Sequence, residues 1–489
     1  MANARSFPHP LYDRFVLRLA FGESQQVLFP HMISASGAHA LMLAETGNLP
    51  RDDVAALGGA LASIREAGAG AYAYDPKVED LFFAVEARLI ELTGPAAGGN
   101  LHIARSRNDL AATMCRMFMR ERLLESMDTV QALRSVVLDL ASTHVRTLMP
   151  GITHVQPAQP TTLGHYLMGV VGPLERDLGR LVDAFDRVNR SPLGAAAFTT
   201  TSFAIDRDVT AGYLGFVDVV ENGYDAVGSG DHMMESVGAL ETMCGSLSRF
   251  VYDLLVWARF DVGILQIDDG FIQISSIMPQ KRNPVVLEHI RTRVAWVYGD
   301  ATAVRTMIHS AAFGDTNDVD DPIFQPLQRA FDASLAVISL LTAVLETARF
   351  DVDLLARRAS DGHTTTTAVA EGLVREHGLS FRRAHEILST AVTRSTRGGE
   401  PISAAMINAI SAELGDPVVT VGEAFVSAAL DPWAFVEART IPGGPAPSTV
   451  EAAIAAGRDR LASDAAAIAE RRDRIAAATA ARLAAFAAL

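Results

Sequence analysis

Ser275-Ser276-Ile277-Met278-Pro279-Gln280-Lys281-Arg282-Asn283-Pro284 interrupts a chain that otherwise reads as long helices. Two hydroxyls, an amide, a lysine, an arginine and an asparagine fall within nine positions, too polar a run for a buried segment. Pro279 and Pro284 restrict the backbone at both ends of the Gln-Lys-Arg-Asn run. Such a loop can supply a hydroxyl base, backbone N–H donors and a cation to a small anionic substrate. A plain surface connection between two helices has the same polarity, because connecting segments run over the surface.

The flanks decide the fold class. In 120–148, Leu123, Met127, Val130, Leu133, Val137 and Leu140 form one apolar stripe at helical spacing, stopped by Pro150-Gly151. The theme repeats over 163–189, where Pro173 is expected to kink the helix, and over 231–260, 285–311 and 323–349. These helices exceed the usual length of about 11–12 residues. Several are apolar on more than one side and must bury two faces. The expectation is an all-α protein with a long central helical bundle, and a homo-oligomer whose core is a bundle of helices from several chains. The pattern divides the chain into an N-terminal helical domain (1–106), a central long-helix domain (107–350) and a C-terminal helical domain (351–489). The alanine-rich end, 449–489, reads as a solvated packing helix.

The totals agree. A chain of 489 residues exceeds one compact core, and 49% apolar residues with only 7% aromatics favours close-packed helices. A net charge of −15 makes nucleic acid or an anionic membrane a poor partner, though gathered cations can still bind a small dianion. Cys115 and Cys244 lie far apart in helical patterns and read as buried small hydrophobes. Met1 to Pro10 has no apolar leader, and no uninterrupted apolar run reaches membrane-span length, so a soluble cytoplasmic protein is expected. No metal-ligand cluster of useful spacing stands out.

Two further polar strings interrupt the helices. In Leu101-His-Ile-Ala-Arg105-Ser-Arg107-Asn108-Asp109, two guanidinium groups and a helix start are placed to bind a carboxylate. Equally, Ser106 or Asn108 can cap the next helix with the arginines in solvent. In Gly151-Ile-Thr153-His154-Val-Gln156-Pro-Ala-Gln159-Pro160, a histidine suited to proton transfer sits among polar neighbours. Glu288 can orient His154 as a carboxylate partner, or stand as a solvated helix residue.

Together and in this order, the three strings resemble the fumarase/aspartase superfamily, and most closely its argininosuccinate lyase branch. Ser275 to Pro284 is similar to the superfamily's signature loop, with Met-Pro-Gln-Lys as the lyase branch's version. Arg105 to Asp109 and Thr153 to Pro160 look like that branch's two other site segments. Further similarity runs through Ser191-Pro-Leu-Gly194, Ile205-Asp-Arg207, Phe381-Arg-Arg-Ala-His-Glu-Ile387 and Gly443-Gly-Pro-Ala-Pro447. The resemblance implies an all-α homotetramer with three domains per chain, a 20-helix core and active sites shared by three subunits. It implies reversible β-elimination of an N-substituted aspartate to fumarate and an amine-type product, with no metal or organic cofactor.

The resemblance makes Ser275 the base, with Lys281 and loop N–H groups favouring its alkoxide. Ser24, Asn108, Thr153 and Asn283 would hold the succinyl carboxylates, with Arg107, Gln156 and Ser276 as further substrate contacts. His154 paired with Glu288 would handle the leaving-group proton, and the reverse assignment of acid and base is chemically reasonable too. The chain also departs from the branch. Ile274 stands in place of glycine before the serines, Gly230 in place of an arginine and Val285 in place of an aspartate. Phe313 replaces a tyrosine, and the Asp-rich stretch 315–321 lacks the branch's lysine. The bond-breaking groups match better than those that recognise the rest of the substrate. The competing readings are argininosuccinate lyase proper, a nitrosuccinate lyase-type or carboxymuconate cycloisomerase-type enzyme, and an inactive crystallin-like structural relative.

Overall fold

A computed structural model describes residues 7–319 and 321–489. The leader reading at Met1 to Ser6, and Asp320 of the Asp-rich stretch, lie outside the described residues. Five long helices make the bundle: α1 (Arg107–Thr143), α2 (Leu163–Val188), α3 (Asp231–Trp257), α4 (Val285–Ser310) and α5 (Phe324–Thr347). Their buried stripes meet in one core. Met127, Val130 and Val137 of α1 face Leu167 and Leu181 of α2, Val237 and Leu247 of α3, Ile290 and Val297 of α4, and Phe331 and Ile338 of α5. Cys115 and Cys244 are both buried in this core, as expected of small hydrophobes. Helix α2 continues through Pro173.

The helices run alternately up and down, so the bundle has two distinct ends. At the first end Arg116 of α1 donates to the carbonyls of Arg187 and Val188 at the end of α2. The start of α3 lies there as well, since Arg116 also donates to His232 Nδ1 at 3.4 Å. At the second end Gly164 N donates to the His144 carbonyl, Tyr166 bonds Asp253 near the end of α3, and Trp257 and His144 both pack against Phe350. Arg291, in the second turn of α4, lies over the Tyr252 ring, which places the start of α4 at the second end.

Among the described residues four short two-stranded pairs interrupt the helices, and two of them carry polar strings noted in the sequence. Leu148–Thr153 (β1) and Gln156–Thr162 (β2) form an antiparallel hairpin between α1 and α2, with Thr153 opposite Gln156. A bulge lies between Pro150 and Ile152, and a Cβ at Gly151 would meet the Gln159 carbonyl at 2.9 Å, so glycine is required for that approach. Gln273–Ile274 (β3) and Arg282–Asn283 (β4) also pair antiparallel, making the 275–281 segment a hairpin loop.

Around the bundle, Pro10–Glu45 runs as one helical stretch and precedes helix Arg51–Ala67. Val369, Leu373, Ile387, Ile407 and Val426 form a separate C-terminal cluster. Helix Pro447–Ala487 then returns along the bundle and is tied to it by ion pairs. Arg134, fully buried, donates to Asp464 at 2.6 Å and to Gln131 at 2.8 Å; Arg460 reaches Glu175 and Arg471 reaches Asp186. Pro10–Glu45 and Phe324–Thr347 are long and apolar enough on average to cross a membrane by length and composition, although polar residues interrupt both. Their apolar windows are 83% and 56% buried inside the protein, as core helices are.

The long helices do not bury every apolar face within one chain. Tyr252 on α3 and Trp296 and Tyr298 on α4 are exposed. Arg134 is the polar group on which the returning helix depends most. Replacing Arg134 by Ala removes its packed stem and its bonds to Asp464 and Gln131, while Glu175 keeps Arg460. A loss of about 2–3 kcal/mol is expected, read as a lower urea midpoint, with Arg134→Met recovering part of it.

Candidate active site

The signature loop folds around its own serine. Met278 N donates to Ser275 Oγ at 3.0 Å and Ile277 N at 3.4 Å. Donors aimed at a hydroxyl oxygen favour its ionised form. Lys281 N closes the turn on the Met278 carbonyl, and Asn283 Nδ2 donates to the Gln273 carbonyl, tying the two strands at the loop's base. Arg282 pairs with Asp269 just outside. Ser276, Met278 and Lys281 are exposed and Ser275 and Asn283 half-buried. Ile274, in the glycine position of the branch, is exposed on β3.

His154 and Val155 are the two turn residues of the β1–β2 hairpin, with φ of 51° and 58°. Positive φ at both central positions is what a tight two-residue hairpin demands, and Asn-Gly usually meets it. A histidine and a β-branched valine there are strained, by about 1–3 kcal/mol each. Strain of this kind concentrates at working sites. Thr153, His154 and Gln156 are all exposed, as are the apolar Ile152 and Val155 beside them.

Ser106 caps α1, as one of the two sequence readings required. Ser106 N donates to Asp109 Oδ1 at 2.9 Å and Asn108 N to Ser106 Oγ at 3.3 Å, a reciprocal capping box. The two arginines do not lie free in solvent. Arg105 is buried and donates to Ser36 Oγ at 3.1 Å, while Arg107 pairs with Asp80 at 2.9 Å and Glu79 at 3.8 Å. Asn108 Nδ2 points to the Ala197 carbonyl at 3.5 Å. Ser24 begins a stretch of wider i→i+5 turns, Ser24–Leu28, a distortion often found at functional sites. Its neighbour Glu23 meets Gln325 at the start of α5, so Ser24 also belongs to the first end.

Sequence reasoning passed over two residues that hold this corner together. Asp109 accepts N–H bonds from Gly194 and Ala196 at 2.9 Å each. Arg207 donates to the Leu193 and Pro192 carbonyls at 3.0 and 3.3 Å. Between them they fix the 191–198 segment, where a Cβ on Gly194 (φ 88°) would meet Arg207 Cγ at 2.7 Å. The signal was Asp109 itself, an acid at the third helical position that suits both the cap and a second loop.

The arrangement brings some expected residues together and separates others. Ser24, Arg107 and Asn108 lie at the first end of the bundle. Thr153, His154 and Gln156 lie at the second, with the Ser275 loop and Glu288. Glu288 is exposed in the first turn of α4, and its expected pairing with His154 is not made within one subunit. The 37 residues of α1 span about 55 Å, and that length separates Asn108 from the hairpin.

A family profile described as Lyase matches residues 13–299, and one described as Argininosuccinate lyase C-terminal matches 363–437. Argininosuccinate lyase 1 of Shouchella clausii is 35% identical over 439 residues, 89% of this chain and 88% of that one. Argininosuccinate lyase of Halobacterium salinarum is 39% identical over 438 residues, again 89% and 88%. Among solved structures, an EDDS lyase variant with bound fumarate superposes with a TM-score of 0.87 at 30% identity, covering 94% of this chain and 92% of its own. A 3-carboxy-cis,cis-muconate lactonizing enzyme from Pseudomonas putida shares the fold at 20% identity, with a TM-score of 0.73 over 92% of this chain and 99% of that one.

Burial raises the Asp109 carboxyl to about 6, against the pull of its three backbone donors and of Arg105. The fold therefore prefers the protonated acid. Its stabilising contribution is complete below the ordinary carboxylate value of about 4 and is lost as pH rises through about 6. Urea midpoints of the parent and Asp109→Asn at about pH 5 and about pH 7.5 test this. The parent should lose more stability than the variant over that interval.

Proposed function

This chain belongs to the fumarase/aspartase superfamily, in its argininosuccinate lyase-like branch, as a fumarate-releasing carbon–nitrogen lyase, and from that premise we propose that it cleaves an N-substituted aspartate other than argininosuccinate. The observation that carries the reading is the half-buried loop serine whose oxygen is met by its own loop's N–H groups. The proton beside a carboxylate is weakly acidic, so its removal needs the developing aci-carboxylate to be met by fixed donors and cations. Ser275 takes that proton. The carbon–nitrogen bond breaks, its electron pair leaves with the nitrogen, and the double bond of fumarate forms.

Lys281 and the loop N–H groups stabilise the serine alkoxide and the dianion. Ser24, Asn108, Thr153 and Asn283 hold the two carboxylates, with Gln156 and Ser276 beside them. Arg107 joins them only by leaving Asp80 and Glu79. His154, oriented by Glu288, delivers a proton to the leaving amine. These residues meet in a cytoplasmic homotetramer, where the first end of one subunit faces the second ends of its neighbours. The strained, exposed hairpin tip and the uncovered aromatics of α3 and α4 support that assembly.

The departures at Gly230, Val285 and Phe313 favour an altered leaving amine. Argininosuccinate lyase proper is the second reading, supported by the 35% and 39% identities to two lyases of that name. Fumarate absorbance distinguishes them across argininosuccinate, adenylosuccinate, aspartate, nitrosuccinate and ethylenediamine disuccinate. We expect a substrate other than argininosuccinate to have the highest kcat/KM. Rapid turnover of argininosuccinate alone, with rescue of an arginine auxotroph, would refute it. Ser275→Ala should lower kcat at least about hundredfold with the assembly unchanged in size.

A further inference from the structure

Phe198, Tyr224 and Phe313 come from three separate segments and form one aromatic shelf. The Phe198 and Tyr224 rings lie 4.6 Å apart, and Tyr224 stacks on Phe313 at 6.3 Å with an interplanar angle of 13°. The segments touch through glycines. A Cβ at Gly223 would strike the Phe198 carbonyl at 2.2 Å, and one at Gly228 would meet Gly314 N at 2.9 Å. The shelf is thus built by close backbone contact, yet its rings stay open: Phe198 is 40%, Tyr224 46% and Phe313 69% exposed.

The shelf adjoins the start of α1. Asn108 Nδ2 reaches the carbonyl of Ala197, next to Phe198. Asp315, two residues beyond Phe313, is half-buried and feels the charge of Arg107. No lysine or arginine occurs in 196–204, 222–230 or 312–319, the three strips that make the shelf, whereas Asp225, Asp315 and Asp318 do. Arg107, close by, is already held by Asp80 and Glu79. Gly230 adds no cation, and a Cβ there would meet Ile308 Cγ2 at 2.8 Å.

We propose that this shelf receives the amine portion of the substrate and selects a leaving amine with an apolar or aromatic body and no carboxylate. The inference rests on the lyase reading above. Stacked rings provide a flat apolar surface for such a body. The carboxylates of the three strips repel the carboxylate of an α-amino acid, and the strips carry no cation of their own to neutralise it. Phe313 and Tyr224 are then specificity-determining residues, and the chain discriminates by repulsion as well as by attraction.

Two measurements test the shelf. The first is calorimetric binding of benzylamine, butylamine and arginine to the enzyme saturated with succinate, which needs no turnover. Benzylamine should bind at least about tenfold more tightly than arginine, and Phe313→Ala should abolish most of that preference. The second is amination of fumarate by the same three amines. There Phe313→Ala should raise KM for benzylamine about tenfold with kcat changed less than about twofold. Tighter binding of arginine, or benzylamine binding unaltered by Phe313→Ala, overturns the proposal. If benzylamine binds as expected while no amine consumes fumarate, the shelf stands and the lyase reading falls.

Discussion

A rigid helix about 55 Å long governs this structure. Arg107–Thr143 carries one group of polar residues at its beginning and leads directly into a second group beyond its end. Nothing in a single bundle can fold those ends together, because the buried stripes that hold the helix straight run nearly its whole length. Met114, Met119, Leu123, Val130 and Val137 are all fixed in the core. Chemistry that uses both ends requires another copy of the chain. The uncovered aromatic residues on α3 and α4 and the strained tip at His154-Val155 are then two parts of one requirement.

The serine loop is held only at its base. A two-residue ladder and the Asn283 side chain pin it there, and it keeps seven residues, 275–281, between the strands. The corner around Asn108 is stiff. A cap, a buried carboxylate and an arginine clamp settle it before any substrate arrives. This contrast suits the proposed elimination, in which the dicarboxylate would rest on a rigid corner and the base would come to it on a loop.

Much of this was legible in residue order. The apolar periods of the five long helices located them to within a few residues, apart from the first, expected over 120–148 and found at Arg107–Thr143: the stripe drawn from Leu123 left out the buried Leu110, Met114, Phe118 and Met119, and Leu148 belongs to β1. Buried cysteines and the Ser106 cap also followed from local rules. The β1–β2 hairpin did not. Its strands hold three prolines and a bulge, so no alternation of apolar and polar residues marks it, and its turn uses His-Val where Asn-Gly would have been the cue. The partners of Asp109 and Arg207 lie far along the chain, and spacing carries no information about such contacts. Apolar core helices and membrane spans share one composition, and only burial told them apart here.

The most direct test of the shared-site account is to mix two inactive proteins. Asn108→Ala is impaired at the first end and Ser275→Ala at the second. After mild denaturation and joint refolding, some sites in a mixed assembly would take both segments from intact copies. The account predicts that fumarate release returns to a substantial fraction of the parent rate, while each variant refolded alone stays inactive. No recovery in a proven mixed assembly, or full activity from a parent chain that is a monomer by light scattering, would contradict it.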